Sequence, residues 1–251
     1  MKNKCIEFKN SVNEQSVYFY GDIVSDEWGK WTDTDTCPQD ILDILGQIDE
    51  NQPLNIYVNS GGGSVFAGMA MYNMLKRCKN QKTVYIDGLA GSIASVLAMV
   101  GDKIIMPSNS YLMIHNAWSG CQGNANDMRK MADTLDKISE GILNVYQERL
   151  VDGVNIKSIK QLMDEETWLT GTDASKYFNI ELVEANKAVA YCGDILNYKN
   201  IPDEIRNKLN TKLDSEENIK NDIESEANDY DNKELELLEL AKAKLRLKLL
   251  Q

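Results

Sequence analysis

The chain has 251 residues, with 27 lysines and arginines against 39 aspartates and glutamates, a formal net charge of -12. Hydrophobic residues make up 43% and charged residues 26%, an ordinary globular mixture in a chain long enough to bury a sizeable core. The acidic balance argues against broad nucleic-acid binding, which needs a cationic surface; the polar start MKNKCIEFKNSVNEQ is unlike a secretory signal, and no apolar run is long enough to span a membrane.

After a polar segment over 1–15, SVYFYGDI (16–23) is rich in β-branched and aromatic residues and reads as a strand. Residues 24–39 read as a loop or short helix. DILDILGQI (40–48) places apolar residues at helical spacing, and PLNIYVNS (53–60) reads as a buried strand. GGG (61–63) reads as a break that permits unusual backbone angles and close approach to a ligand. A helix over 66–78 and a strand over 82–88 follow, so the order is that of an α/β fold with parallel crossover units.

SIASVLAMV (92–100) reads as a buried helix, and KIIMP (103–107) and SYLMIH (110–115) as short strands. Residues 127–150 form a long amphipathic helix in which Met128, Met131, Leu135, Ile138, Ile142 and Val145 recur every three or four residues, a stripe read as packing. A loop and helix over 151–166 lead to WLTGTDASKYF (168–178), where Thr172 can cap a short helix, and the domain closes by about residue 195. Residues 196–232 turn polar and acidic, as in a linker or solvated helical arm. KELELLELAKAKLRLKLL (233–250) carries a leucine stripe with acids first and bases last, so 233–251 reads as an amphipathic helix. It suits a helical contact with a partner or docking on its own domain better than a membrane surface, because its polar side is mixed in charge.

The five cysteines, Cys5, Cys37, Cys78, Cys121 and Cys192, are scattered and odd in number. They suggest neither a disulfide framework nor a zinc cluster. A cytoplasmic protein without metal or other cofactor is expected.

One stretch carries chemistry. DGLAGSIASVLAMVGDKI (87–104) puts Ser92 between small residues where a strand gives way to a helix, and His115, the single histidine, ends a nearby strand. Ile93 would offer a first-turn N–H, and Gly62 or Gly63 in N-S-G-G-G-S (59–64) a second, completing an oxyanion hole. His115 can take the proton of Ser92, with Asp164, Glu165 or Glu166 as the acid member. A serine after glycine also serves as a helix cap, and a lone histidine also serves packing, so these residues are informative only in combination. GGGSVFAG is not a nucleotide P-loop, and GLAGS is not the G-x-S-x-G elbow.

IYVNSGGGSVFAGMAMYNML (56–75), the stretch from DGLAGSIAS to GNANDM (87–128) and EETWLTGTDASKYFNI (165–180) together resemble the Clp protease proteolytic subunit family of serine peptidases. The resemblance spans residues 16–187 and implies a Clp-protease/crotonase-like α/β fold with repeated β-β-α units, a mostly parallel sheet and a protruding handle helix. It implies Ser92 as nucleophile, His115 as base, and Gly62 and Ile93 as oxyanion donors. Substrate would meet Gly61, Gly63, Ser64, Val65 and Asn116. The acid falls on Glu166, where the family usually has aspartate, with Asp164 as rival, and Gly61 replaces the family's usual proline. Homo-oligomeric rings or stacked heptameric double rings are implied.

The glycine loop and the C-terminal extension resemble the Clp-related head maturation proteases of phages and prophages. They imply capsid and scaffold proteins as substrates, in a bacterial or host cytoplasm or inside the prohead. A degradative subunit working with a chaperone ATPase, a non-catalytic ring-forming assembly factor and a crotonase-like acyl-CoA enzyme are the alternatives.

Overall fold

The computed structural model describes residues 7–10, 15–184, 198–203, 205 and 206. The helix expected over 233–251 and most of the arm over 196–232 lie outside the described residues. The chain divides into two units, residues 1–200 and 201–251. In the second, the N–H groups of Ile205 and Arg206 both donate to the Pro202 carbonyl at 3.0 Å, a single turn.

The first unit is a mixed α/β fold. Its strands are β1 (Glu7–Asn10), β2 (Gln15–Ile23), β3 (Leu54–Gly63), β4 (Lys82–Gly91), β5 (Lys103–Pro107), β6 (Tyr111–Ile114), β7 (Thr167–Thr170) and β8 (Glu181–Val183). Its helices are α1 (Pro38–Leu45), α2 (Val65–Lys76), α3 (Ile93–Ala98), α4 (Ala125–Gln147), α5 (Ile156–Asp164) and α6 (Gly171–Ala174). The strands make one sheet in the order β1-β2-β3-β4-β5-β8. Neighbours from β2 to β8 are parallel, whereas β1 runs antiparallel to β2.

The sheet divides at β4. Its first half pairs with β5 (Thr83↔Lys103 to Tyr85↔Ile105), and its last residues pair with β6 (Leu89↔Tyr111 to Gly91↔Met113). β7 then adds to β6 in antiparallel sense. The connections between parallel strands run through helices, as parallel pairing requires. Val17 and Phe19 in β2, Ile56 and Val58 in β3, and Val84 and Ile86 in β4 alternate toward one buried face. Residues 93–100 are all buried, so α3 is wrapped by protein. α2 lies so close that a Cβ on Gly68 would sit 2.4 Å from Ile93 Cγ1.

Two local expectations are corrected. The glycine triplet is not a break, because β3 runs through it to Gly63. Gly62 and Gly63 stay registered with Asp22 and Ile23 of β2 after a bulge, at φ of 103° and 137°, angles that glycine adopts without steric cost. The cap of α6 is Thr170, not Thr172: its hydroxyl accepts from the Asp173 N–H at 3.2 Å. The long helix matches its expected span closely, and residues 122–130 are exposed within the chain.

Candidate active site

Strand register brings the three chemical residues together. Gly91 is the last paired residue of β4, opposite Met113, and Ser92 is the next residue. Ile114 is the last residue of β6, and His115 follows it. Ile114 is paired with Thr167, the first residue of the antiparallel β7, so Glu166 precedes that pair at the same end. Each of the three is thus one step outside a paired position.

Ser92 sits at φ 52° and ψ -128°, a region sparsely populated for any residue but glycine and costing about 1–3 kcal/mol. Its surroundings hold it there. The Ser92 N–H donates to Met113 O at 2.9 Å. The Ser92 carbonyl accepts from Ser95 Oγ at 2.5 Å, and Ser95 Oγ in turn lies 2.7 Å from the buried Tyr146 hydroxyl of α4. The result is a serine side chain turned to His115, with Oγ 2.7 Å from Nε2.

Burial holds the His115 imidazole below its ordinary pKa, and the neighbouring Glu166 carboxylate only partly offsets that. A neutral ring whose Nε2 accepts from a hydroxyl is the form a general base requires. Its other nitrogen, Nδ1, lies 4.0 Å from Glu166 Oε2, within ion-pair range but beyond a hydrogen bond. Glu166 itself is at φ 49°.

The three candidate acids are separated by their partners. Asp164 accepts from Asn116 Nδ2 at 2.8 Å and faces Lys160 at 3.6 Å. Glu165 accepts from Gln161 Nε2 at 2.9 Å. Glu166 is the acid paired with the histidine. Asn116, expected to meet substrate, is the residue that donates to Asp164.

The glycine triplet packs directly on the serine. A Cβ on Gly62 would stand 2.7 Å from Ser92 Cβ, 2.6 Å from Gly91 O and 3.1 Å from Ile93 N. The Gly62 N–H donates to Ser60 Oγ at 3.1 Å, so the hydrogen expected to meet an oxyanion is engaged in this state. The Ser64 N–H donates to Ile23 O at 2.7 Å, and its side chain caps α2. The Ile93 N–H belongs to the first turn of α3, where amides lack an intrahelical acceptor.

A cavity of about 620 Å³ opens beside these groups, lined by residues 61–66, Ser92, Ile93, His115 and the α4 stripe Met131, Leu135, Ile138 and Ile142. That stripe, read from sequence as packing, therefore lines the site. Tyr198 was not anticipated at all. Its hydroxyl donates to Gly61 O at 2.6 Å, and its ring meets His115 edge-on at 5.4 Å. Nothing in the local sequence marks it, since it falls where the composition turns polar.

Among the described residues, the group able to hold a metal is Glu27, Cys37 and Asp40. Lys30 Nζ already lies 2.8 Å from Glu27 and 2.7 Å from Asp40, so a cation occupies their charge.

The Clp protease family model matches residues 9–186. The ATP-dependent Clp protease proteolytic subunit of Bacteroides fragilis is 30% identical over 146 residues, 57% of this chain and 69% of that one. That of Chlorella vulgaris is 30% identical over 146 residues, covering 57% and 71% of the two chains. That of Borreliella afzelii is 27% identical over 172 residues, covering 68% and 83%. Parallel sheet, half-buried serine–histidine pair and matched segment agree: the chain belongs to the Clp protease family, a family of serine peptidases.

Proposed function

We propose that the chain is a serine endopeptidase in which Ser92 is the nucleophile, His115 the general base and Glu166 the orienting acid. The observation that carries this is the 2.7 Å contact between Ser92 Oγ and His115 Nε2, with Glu166 on the far nitrogen. His115 takes the proton as Ser92 Oγ attacks a peptide carbonyl, and the Glu166 charge stabilises the imidazolium that forms. The oxyanion takes the Ile93 N–H, and the Gly62 N–H exchanges Ser60 Oγ for it. His115 then protonates the leaving amine, and water activated by the same ring releases the acyl-enzyme.

Residues Gly61, Gly63 and Val65 supply a glycine-rich edge for an extended substrate, with Ser64 capping the helix behind it. The apolar cavity at α4 selects a hydrophobic side chain next to the cleaved bond. Homo-oligomeric rings are proposed through the exposed first half of α4, where Met128 is 43% exposed.

The substrates proposed are capsid and scaffold proteins processed during head assembly, in cytoplasm or prohead. Gly61 in place of the family's usual proline and the continuation of the chain past residue 186 to Gln251 support this reading. A second reading, a degradative subunit working with a chaperone ATPase, is favoured by the relatives, which are ATP-dependent Clp protease proteolytic subunits. Purified full-length protein incubated with capsid and scaffold proteins, with and without ATP and an unfoldase, separates the two. Discrete ATP-independent fragments, lost in Ser92→Ala, support head processing. Degradation only with unfoldase and ATP supports the second reading, and no cleavage under either condition leaves the ring-forming assembly factor. Among the described residues, no helix is long and apolar enough to cross a membrane.

A further inference from the structure

The segment Tyr198–Asn200 lies beyond residue 186, where the family match ends, yet it bonds into the site at several points. The Asn200 N–H donates to Glu166 Oε1 at 2.8 Å. Asn200 Nδ2 donates to the Glu165 carbonyl at 2.6 Å and to the Glu166 carbonyl at 3.3 Å. Tyr198 secures the other end of the segment through Gly61 O, and its ring packs edge-on against His115 and Trp168, with centroids 5.4 Å and 6.0 Å away.

These contacts answer a need created at Glu166. A glutamate has one more rotatable bond than an aspartate, so fixing its carboxylate costs more side-chain entropy. Its backbone is also left-handed, at φ 49°, a conformation that needs support in a non-glycine residue. Asn200 meets both demands. Its side chain ties the two carbonyls of the turn, and its N–H holds Oε1, which leaves Oε2 to face His115 Nδ1.

We propose that Asn200 is a positioning residue: it braces Glu166, and through it His115, from outside the family-matched segment. The proposal rests on the reading of His115 and Glu166 as base and orienting acid. It does not depend on which protein is the substrate.

The test uses the full-length chain and its single histidine, whose ring signals in a histidine-labelled NMR sample belong to His115 alone. Among the described residues, the groups facing that ring are Ser92 Oγ, the Tyr198 ring and the Glu166 carboxylate. Only the last is anionic, and its charge raises the ring's pKa. Glu166→Gln therefore lowers the titration midpoint and sets the reference. Asn200→Pro removes both the N–H and the amide. Its midpoint is expected to fall by about half or more of the Glu166→Gln shift. Asn200→Ala, which keeps the N–H, is expected to stay nearer wild type. The double variant Glu166→Gln/Asn200→Pro is expected to titrate as Glu166→Gln alone.

In peptide hydrolysis, Asn200→Pro is expected to lower kcat about tenfold with KM changed less than about threefold. A wild-type midpoint in Asn200→Pro would overturn the proposal. So would a rise in kcat, because the segment would then obstruct the cleft rather than brace the acid. Absence of hydrolysis in the wild type, with the NMR shifts as expected, would sink the peptidase reading and leave the brace standing.

Discussion

With His115 as the proposed base, its titration sets the expected pH dependence of the site. Burial disfavours its charged form more than Glu166 favours it, so the folded pKa lies below the ordinary 6.5. The acid limb of kcat/KM is therefore expected to have its midpoint below 6.5, read from a pH profile on a peptide substrate. The same shift links to folding. Between the two pKa values the unfolded chain binds the proton and the folded chain does not, so stability rises with pH there. The contribution is full above about pH 6.5 and is lost as pH falls through the lowered folded value. His115→Gln is expected to remove that component from melting curves taken across this range. Ser92 supplies a second residue-scale expectation. At φ 52° a glycine is unstrained, so Ser92→Gly should melt at a higher temperature than Ser92→Ala, although both lack the nucleophile. Equal melting temperatures would mean that the strain is not stored at this position.

At the scale of elements, the site depends on how closely the ends of β3 and β4 approach. Gly62→Ala would place a methyl group 2.6 Å from Gly91 O and 2.7 Å from Ser92 Cβ, on a backbone at φ 103°. A displacement of Ser92 by about 1 Å is expected to lower kcat about 100-fold while circular dichroism stays near wild type. Much of this architecture was legible in the residues. The strands expected over 53–60 and 82–88 and the helix expected over 127–150 lie close to the observed Leu54–Gly63, Lys82–Gly91 and Ala125–Gln147. Ser92 and the single histidine stood out as candidates because they fall at the ends of expected strands, whereas Glu166 was set apart from Asp164 and Glu165 only by the resemblance, because the strand that places it, β7, was not expected. The rest depends on register and tertiary contact, which no local pattern encodes. The glycine triplet was read as a break because glycine usually interrupts strands, yet pairing with β2 keeps it extended. The lining role of Leu135 and Ile138 was hidden because a helix stripe facing a cavity looks like one facing a core.

At the scale of the molecule, α4 offers an exposed first half, mostly polar but carrying the 43% exposed Met128, that its own chain does not cover among the described residues. If rings form through it, Met128→Glu is expected to shift sedimentation toward smaller species at equal concentration, and an unchanged profile would place the contact elsewhere. The proposed nucleophile, base and acid all come from one chain, so residual activity is expected in the smaller species. The most direct measurement is intact-mass analysis of the full-length protein after a serine-directed fluorophosphonate, followed by peptide mapping. The proposed catalytic role of Ser92 predicts one adduct, on that serine, absent in Ser92→Ala and greatly slowed in His115→Ala. No adduct on folded, assembled protein, or an adduct on another serine, would contradict it.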